Sequence, residues 1–325
     1  MFIDFNKIKE ITFGVQNVVE KGGMVEFRRF TQNQAKCYLD IGRNDHYLKT
    51  GSPAGVRFSF STDAEQISFT YIPTYGSGRI FGKMDVLEDD ELTGHYVLPF
   101  CENKFVHTFK KGQKKVEVYF PWSCQMRISE VELKGATFVK GEKRKLKSLA
   151  FGDSITQGYD SECPSNSYVS LMSKVFDSDV IDMGIGGDVH FAPIIRNMEV
   201  LPADYITVAY GTNDWRLVNY IDFVKCVEEF YKELIEKYPT TKIFAILPLW
   251  RVCNNIKVND DGKTLDDYRE KIKEIVSKYK NVVVINGKNL ITHDPELFED
   301  KVLHPNDAGF KEYATNLVNE MKKYL

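Results

Sequence analysis

The sequence lacks the usual signals of metal, redox and membrane chemistry. Its six cysteines (Cys37, Cys101, Cys124, Cys163, Cys226 and Cys253) include no C-x-x-C pair, which argues against a zinc cluster or dithiol motif and predicts free, mostly buried thiols. The six histidines show no H-x-x-x-H spacing and no accompanying acidic cluster, so no metal and no other cofactor is expected. No stretch approaches the roughly 20 apolar residues of a membrane span. Met1 to Glu10 has no basic segment leading into an apolar one, and the expectation is a cytoplasmic protein with no membrane partner. A net charge of -3 provides no general basic field for nucleic acid.

What is present is ample for burying a core: 325 residues, 43% hydrophobic and 27% charged. The chain divides by period. From about Gly23 to Phe138, short runs such as Gly55–Ser61, Gln66–Ile72 and Lys115–Phe120 alternate apolar and polar residues between Gly, Pro, Asn and Asp. That pattern predicts half-buried antiparallel strands and an N-terminal β-sandwich, jelly-roll-like, over residues 1–140. Tyr71–Gly76, with two tyrosines around a proline, reads as sandwich core in preference to a sugar-binding edge. The basic run Lys140–Lys147 reads as a solvated linker.

Beyond it, β-branched runs (Ser148–Phe151, Val180–Met183, Tyr205–Ala209, Lys242–Leu247, Val282–Ile285) alternate with helical patterns at Ile221–Ile235, Leu265–Tyr279 and Asp307–Tyr324. Strand–helix alternation predicts a parallel sheet covered on both faces, a three-layer, flavodoxin-like α/β domain over residues 141–325. Ligand sites in such sheets lie beyond the carboxyl ends of the strands. Three segments fall there: Gly152-Asp-Ser-Ile-Thr-Gln-Gly158 after the first strand, Tyr210-Gly-Thr-Asn-Asp-Trp215 after the third, and Leu303-His-Pro-Asn-Asp307 near the chain end. Ester hydrolysis at a serine needs a base for the hydroxyl proton and donors for the oxyanion, and a histidine and an asparagine suit those roles. Each segment alone also reads as an ordinary turn, an Asx turn or a loop before a capped helix. Their shared position is what favours chemistry.

Gly152-Asp-Ser-Ile-Thr156, Gly184-Ile-Gly-Gly187, Gly211-Thr-Asn-Asp214 and His304-Pro-Asn306 together resemble the SGNH or GDSL hydrolases. The resemblance covers roughly the last 180 residues of the chain and implies a serine esterase. Ser154 would be the nucleophile and His304 the base, with the Ser154 N–H, the Gly187 N–H and Asn213 forming the oxyanion hole. The family places an aspartate three residues before the histidine, a position held here by Lys301. Asp300 through a bulged loop, or a backbone carbonyl in a Ser-His dyad, would then orient His304.

A β-sandwich ahead of such a domain is similar to carbohydrate esterases of the acetyl xylan esterase type. It implies short acyl groups, O-acetyl above all, on a small-molecule or oligosaccharide substrate. Trp215 and Trp250 at strand ends would stack on a sugar or cover a core edge. Asp188 is a candidate substrate contact, with His190 beside it; both also fit local hydrogen bonding. His293 is expected in the loop wall and Cys163 near the site. A lysophospholipase or thioesterase of the same fold, or a weakened carbohydrate-binding protein, remains the alternative. The oligomeric state is not legible.

Overall fold

The computed structural model describes residues 1–76, 78–252 and 258–325, so Cys253 lies outside the described residues. The N-terminal half builds two antiparallel sheets. One orders the strands Thr12–Phe13, Arg57–Thr62, Lys114–Tyr119, Gly82–Glu88 and Glu91–Leu98, with Val139–Gly141 paired to Arg57–Thr62. The other orders Asn17–Lys21, Met24–Arg28, Gln125–Lys134, Gln66–Thr74 and Asn103–Thr108. The alternation that predicted strands points Phe58, Phe60, Phe69 and Phe105 into one core. There Phe58 and Phe69 meet Phe120 and Phe105 edge-on or stacked at 4.8–4.9 Å, close enough to add to simple area burial. Tyr71 is buried in that core, whereas Tyr75 is exposed.

Besides the N-terminal helix Phe5–Ile11, two helices interrupt this half, Gln32–Asp40 and Asn44–Thr50, where only strands were expected. The first has a reciprocal capping box, Thr31 hydroxyl to the Gln34 N–H and Gln34 carboxamide to the Thr31 N–H. Its Tyr38 packs with the α/β core rather than with the sandwich.

The C-terminal half is a five-stranded parallel sheet in the order Ser178–Gly184, Leu146–Gly152, Tyr205–Ala209, Lys242–Ile246, Val282–Ile285. The second strand in sequence lies outside the first and the rest extend the other way, so the topological switch falls beside Leu146–Gly152. Helices Tyr220–Lys237 and Leu265–Val276 cover one face, through Phe223, Val227, Phe230, Tyr231 and Leu234 on the first. Tyr168–Val175 and Asp307–Met321 cover the other.

The seam between the halves includes buried polar contacts. Arg29 is wholly enclosed, donating to backbone carbonyls of Ser52, Lys49, Asp182 and Gly184. The basic run corrects a sequence expectation: Lys140 and Lys145 are solvated, but Arg144 is buried against Glu117 at 2.9 Å and donates to Ser173. A buried carboxylate with two guanidinium partners, Arg57 and Arg144, is what takes Arg144 out of water. No helix among the described residues is long and apolar enough to cross a membrane.

Candidate active site

The strand Leu146–Gly152 hands the chain directly to a one-turn helix, Ser154–Gln157, capped by the Asp153 side chain on the Ile155 N–H at 3.0 Å. Gly152 permits this sharp exit, because a Cβ there would stand 1.9 Å from Thr156 Oγ1 and 2.8 Å from the Ala209 carbonyl. Ser154 is thereby fixed at the strand's carboxyl end, its Oγ 2.8 Å from His304 Nε2. Asp153 is buried beneath it, and that burial pushes its carboxyl up to about 7.

His304 arrives on a loop closed by the Glu299 N–H to its own carbonyl at 2.8 Å and by a bridge between Phe298 and Pro305. Within that loop Lys301 takes a left-handed backbone with φ of 57°. The added curvature lets Asp300, four residues before the histidine, place Oδ2 2.8 Å from His304 Nδ1. Its Oδ1 accepts the N–H groups of Val302, Leu303 and His304 at 2.9, 2.7 and 3.1 Å. Burial works to raise the Asp300 carboxyl, but the His304 and backbone hydrogen bonds outweigh it and hold it well below the usual carboxylate range.

A second carboxylate, Asp160, stands 3.5 Å from the same Nδ1 and is paired to Arg79 of the sandwich half at 2.7 Å. The Tyr159 ring lies 5.7 Å from the imidazole, with Trp122 4.8 Å behind it. Sequence reading missed Asp160, Tyr159 and Arg79. Arg79 is remote in sequence, and Asp160 shows only as one more acidic residue in a loop.

The third group of residues lines the neighbouring loops. Gly187 has a φ of 85°, and the Gly186 N–H is held by the Gln157 side chain at 2.8 Å. Asn213 is the second residue of the helix Thr212–Leu217, which follows Gly211 with its φ of 123°, and its Nδ2 donates to the Asp188 carbonyl at 3.1 Å. Asp214 accepts from both the backbone N–H and Nδ1 of His190 at 3.1 and 3.0 Å, tying the glycine loop to the asparagine loop.

Asp188 corrects the expectation of a direct substrate contact. Its side chain is wholly buried, with Oδ2 accepting the Tyr38 hydroxyl at 2.7 Å and Oδ1 facing Arg43 at 3.6 Å and His46 at 4.0 Å. All three partners come from the unforeseen helical segment of the first half. A Thr31-x-x-Gln34 capping box was the available sequence signal for that segment.

The two tryptophans also differ from open sugar platforms. Trp215 is buried, donates its indole N–H to the Lys263 carbonyl at 2.9 Å and carries the Arg251 guanidinium over its ring at 5.4 Å. Trp250 stacks on His293 at 5.0 Å, which puts His293 in the loop wall. Beside Trp215 is a hollow of about 290 Å³, bordered also by Arg216, Arg251, Asp260 and Val302. It adjoins the loop that carries His304, since the Val252 N–H bonds the Val302 carbonyl at 3.0 Å. Cys163 is buried against the first half, beside His95 rather than Ser154. Cys124 is also buried, but Cys101 is exposed, so the expectation of buried thiols holds unevenly.

A parallel sheet that delivers a serine, a hydrogen-bonded histidine and a carboxylate at its strand ends defines the α/β acyl hydrolase class. Residues 150–311 match the GDSL-like lipase/acylhydrolase family. No curated protein matches the sequence. Among solved structures, the chain is similar to the salicylyl-acyltransferase SsfX3 from a tetracycline biosynthetic pathway, with TM-score 0.88, 23% identity, and 99% of this chain and 97% of that one covered. A family two carbohydrate esterase from Clostridium thermocellum gives TM-score 0.67 at 15% identity, covering 84% and 93%. An acetyl xylan esterase (Est2A) from Butyrivibrio proteoclasticus gives 0.60 at 14%, covering 83% and 89%. These likenesses establish the two-part fold.

Proposed function

We propose that the protein is a serine esterase that hydrolyses short-chain acyl esters, O-acetyl groups on carbohydrate foremost, through an acyl-enzyme on Ser154. The observation that carries this reading is the continuous chain from Ser154 Oγ to His304 Nε2 at 2.8 Å and from His304 Nδ1 to Asp300 Oδ2 at 2.8 Å. Asp300 keeps the Nδ1–H tautomer, so Nε2 is an acceptor when Ser154 Oγ attacks the ester carbonyl. The Oγ–H proton passes to Nε2, and the imidazolium is stabilised by Asp300. The oxyanion is held by the Ser154 N–H, the Gly187 N–H and Asn213 Nδ2. When the C–O bond to the alcohol breaks, Nε2–H returns the proton to the leaving oxygen. A water then repeats the sequence on the acyl-serine and releases the acid.

The preference for carbohydrate draws on the two-part layout shared with the carbohydrate esterase structures. The hollow beside Trp215 sets Arg216, Arg251, Asn259 and Asp260 among Val252, Val258 and Val302, so it offers polar partners for a sugar's hydroxyls along a largely apolar wall. A decayed, purely binding role is disfavoured because Asp300 reaches His304 despite Lys301 occupying the usual position.

The test is a series of acetyl-, butyryl- and octanoyl-p-nitrophenyl esters turned over by wild type and Ser154→Ala. Highest kcat/KM on acetyl with loss in Ser154→Ala supports the proposal. Activity rising with chain length assigns a lysophospholipase or thioesterase, and glycan binding without Ser154-dependent turnover assigns a binding protein. Forming the acyl-enzyme is common to hydrolysis and acyl transfer, so each assay is repeated with a sugar alcohol present. An acylated sugar produced faster than free acid would replace hydrolysis with transfer.

A further inference from the structure

Away from the catalytic loops, three side chains of metal-ligand type meet across the seam of the two halves. Asp85 lies on the strand Gly82–Glu88, His95 on Glu91–Leu98, and Cys163 on the loop just before the turn Pro164–Asn166. Asp85 and Cys163 are buried, while the His95 side chain keeps 26% of its surface and leaves an approach from solvent. His95 Nδ1 contacts both Asp85 Oδ1 and Cys163 Sγ, and one ligand atom from each of the three residues lies within 4.8 Å of the other two. We propose that this cluster is a binding site for a thiophilic divalent cation, zinc in the first instance, with these three groups and one water as its ligands.

The spacing fits. A tetrahedral zinc with usual bond lengths holds its nitrogen and sulfur ligands about 3.6 Å apart and its nitrogen and oxygen ligands about 3.3 Å apart. Here Nδ1 and Sγ are 3.6 Å apart and Nδ1 and Oδ1 2.7 Å apart. The imidazole and sulfur are therefore already at ligand spacing, and the His95–Asp85 contact has to open by roughly 0.6 Å to admit the ion.

The surroundings fit as well. Ligating imidazoles generally give their second nitrogen to a carboxylate, and ligating carboxylates are themselves hydrogen-bonded. His95 Nε2 stands 3.3 Å from Glu162 Oε1. Asp85 Oδ2 accepts the Ser165 N–H at 2.8 Å and its hydroxyl at 2.6 Å, which leaves Oδ1 turned to the cluster. The Cys163 N–H is directed at the Asp307 carboxylate at 3.3 and 3.4 Å, which fixes the loop that presents the sulfur.

One carboxylate, one thiolate and a neutral imidazole balance a dication, and the sulfur favours zinc over magnesium or calcium. Burial and then Asp85 push the Cys163 thiol up to about 12, so the metal-free thiol carries its proton. Binding breaks S–H, forms the S–metal bond and releases that proton to solvent. Asp160, Asp300 and His304 form the other such cluster among the described residues, but it offers no sulfur and belongs to the site around Ser154 already described.

An ion held here would clamp the 160–163 loop, which carries Asp160 beside His304, onto two strands of the sandwich. No spacing signal marks the site in the sequence, because the ligands come from three separate elements of the two halves.

The test titrates the metal-free, full-length protein with Co²⁺ and then Zn²⁺. The expected result is one equivalent of Co²⁺ with a thiolate-to-cobalt charge-transfer band, displaced by Zn²⁺, and a Tm that rises with added Zn²⁺. Cys163→Ser should abolish the band and Cys101→Ser should keep it. His95→Gln, on the half-exposed side, should weaken binding roughly tenfold or more without loss of folded circular dichroism. Absence of the band in wild type, or a band that survives Cys163→Ser, would overturn the site.

Discussion

Asp300→Asn tests the base-orienting arrangement most finely. The amide retains an oxygen for the three backbone N–H groups now bonded to Oδ1, and this turns its NH2 toward His304 Nδ1, 2.8 Å away in the native contact. Two donors then face each other. The imidazole escapes by moving its proton to Nε2, where it can no longer accept the Ser154 proton. Asp160 relieves part of the loss. Coulomb attraction scales inversely with distance, so at 3.5 Å against 2.8 Å Asp160 supplies about four-fifths of the attraction per charge, before Arg79 at 2.7 Å offsets most of it. An aspartate-to-asparagine change in a serine-protease triad costs about 10⁴ in kcat. With Asp160 as partial replacement, the expected loss is roughly 10² to 10³, or about 3–4 kcal/mol of barrier. Asp160→Asn alone should cost about tenfold or less, and the double substitution should approach about 10⁴. The assay is kcat on p-nitrophenyl acetate across pH, with circular dichroism as the folding control. An Asp300→Asn kcat within about threefold of wild type, with the same pH profile, would refute the reasoning.

Three further outcomes are expected. Asn213→Ala should lower kcat by about 10² to 10³ with little change in KM, the usual cost of one oxyanion donor; a KM-dominated effect would assign Asn213 to ground-state binding. Tyr38→Phe removes the hydroxyl from buried Asp188, costing about 1.5–3 kcal/mol of stability in a urea melt, and should lower kcat through the Asp188 carbonyl that holds Asn213. A stability loss with unchanged kcat would limit Tyr38 to packing. Asp153 has a folded pKa raised to about 7, so the folded state holds a proton that the unfolded state releases, and stability falls as pH climbs from the ordinary carboxylate range through 7. Asp153→Asn keeps an acceptor for the Ile155 N–H and should therefore raise Tm more at pH 8 than at pH 5; an equal shift at both would contradict that account.

The parts of the structure legible in the sequence are those with a repeating pattern or a compact motif. Tyr205–Ala209 and Val282–Ile285 form strands over the same residues as expected, and of the apolar stripe Phe223, Val224, Val227, Phe230, Tyr231 and Leu234 all but the half-buried Val224 lie on the buried face of their helix. The helix Ser154–Gln157 is too short to show a period. Asp300's reach depends on Lys301 taking a positive φ, which a lysine does not advertise. Arg144 looks like its solvated neighbours until the fold brings Glu117 beside it from another strand. The hold of Tyr38, Arg43 and His46 on Asp188 spans the two halves of the chain, so only tertiary structure reveals it.

The central claim is a covalent acyl group on Ser154, and its most direct measurement is mass spectrometry of enzyme quenched during turnover of p-nitrophenyl acetate. A mass increase of one acetyl group is expected, located by proteolysis to the peptide bearing Ser154, absent from Ser154→Ala and accumulating when deacylation is slowed at low pH. Full ester turnover by Ser154→Ala, or an acetyl group located on another residue of a competent enzyme, would contradict it.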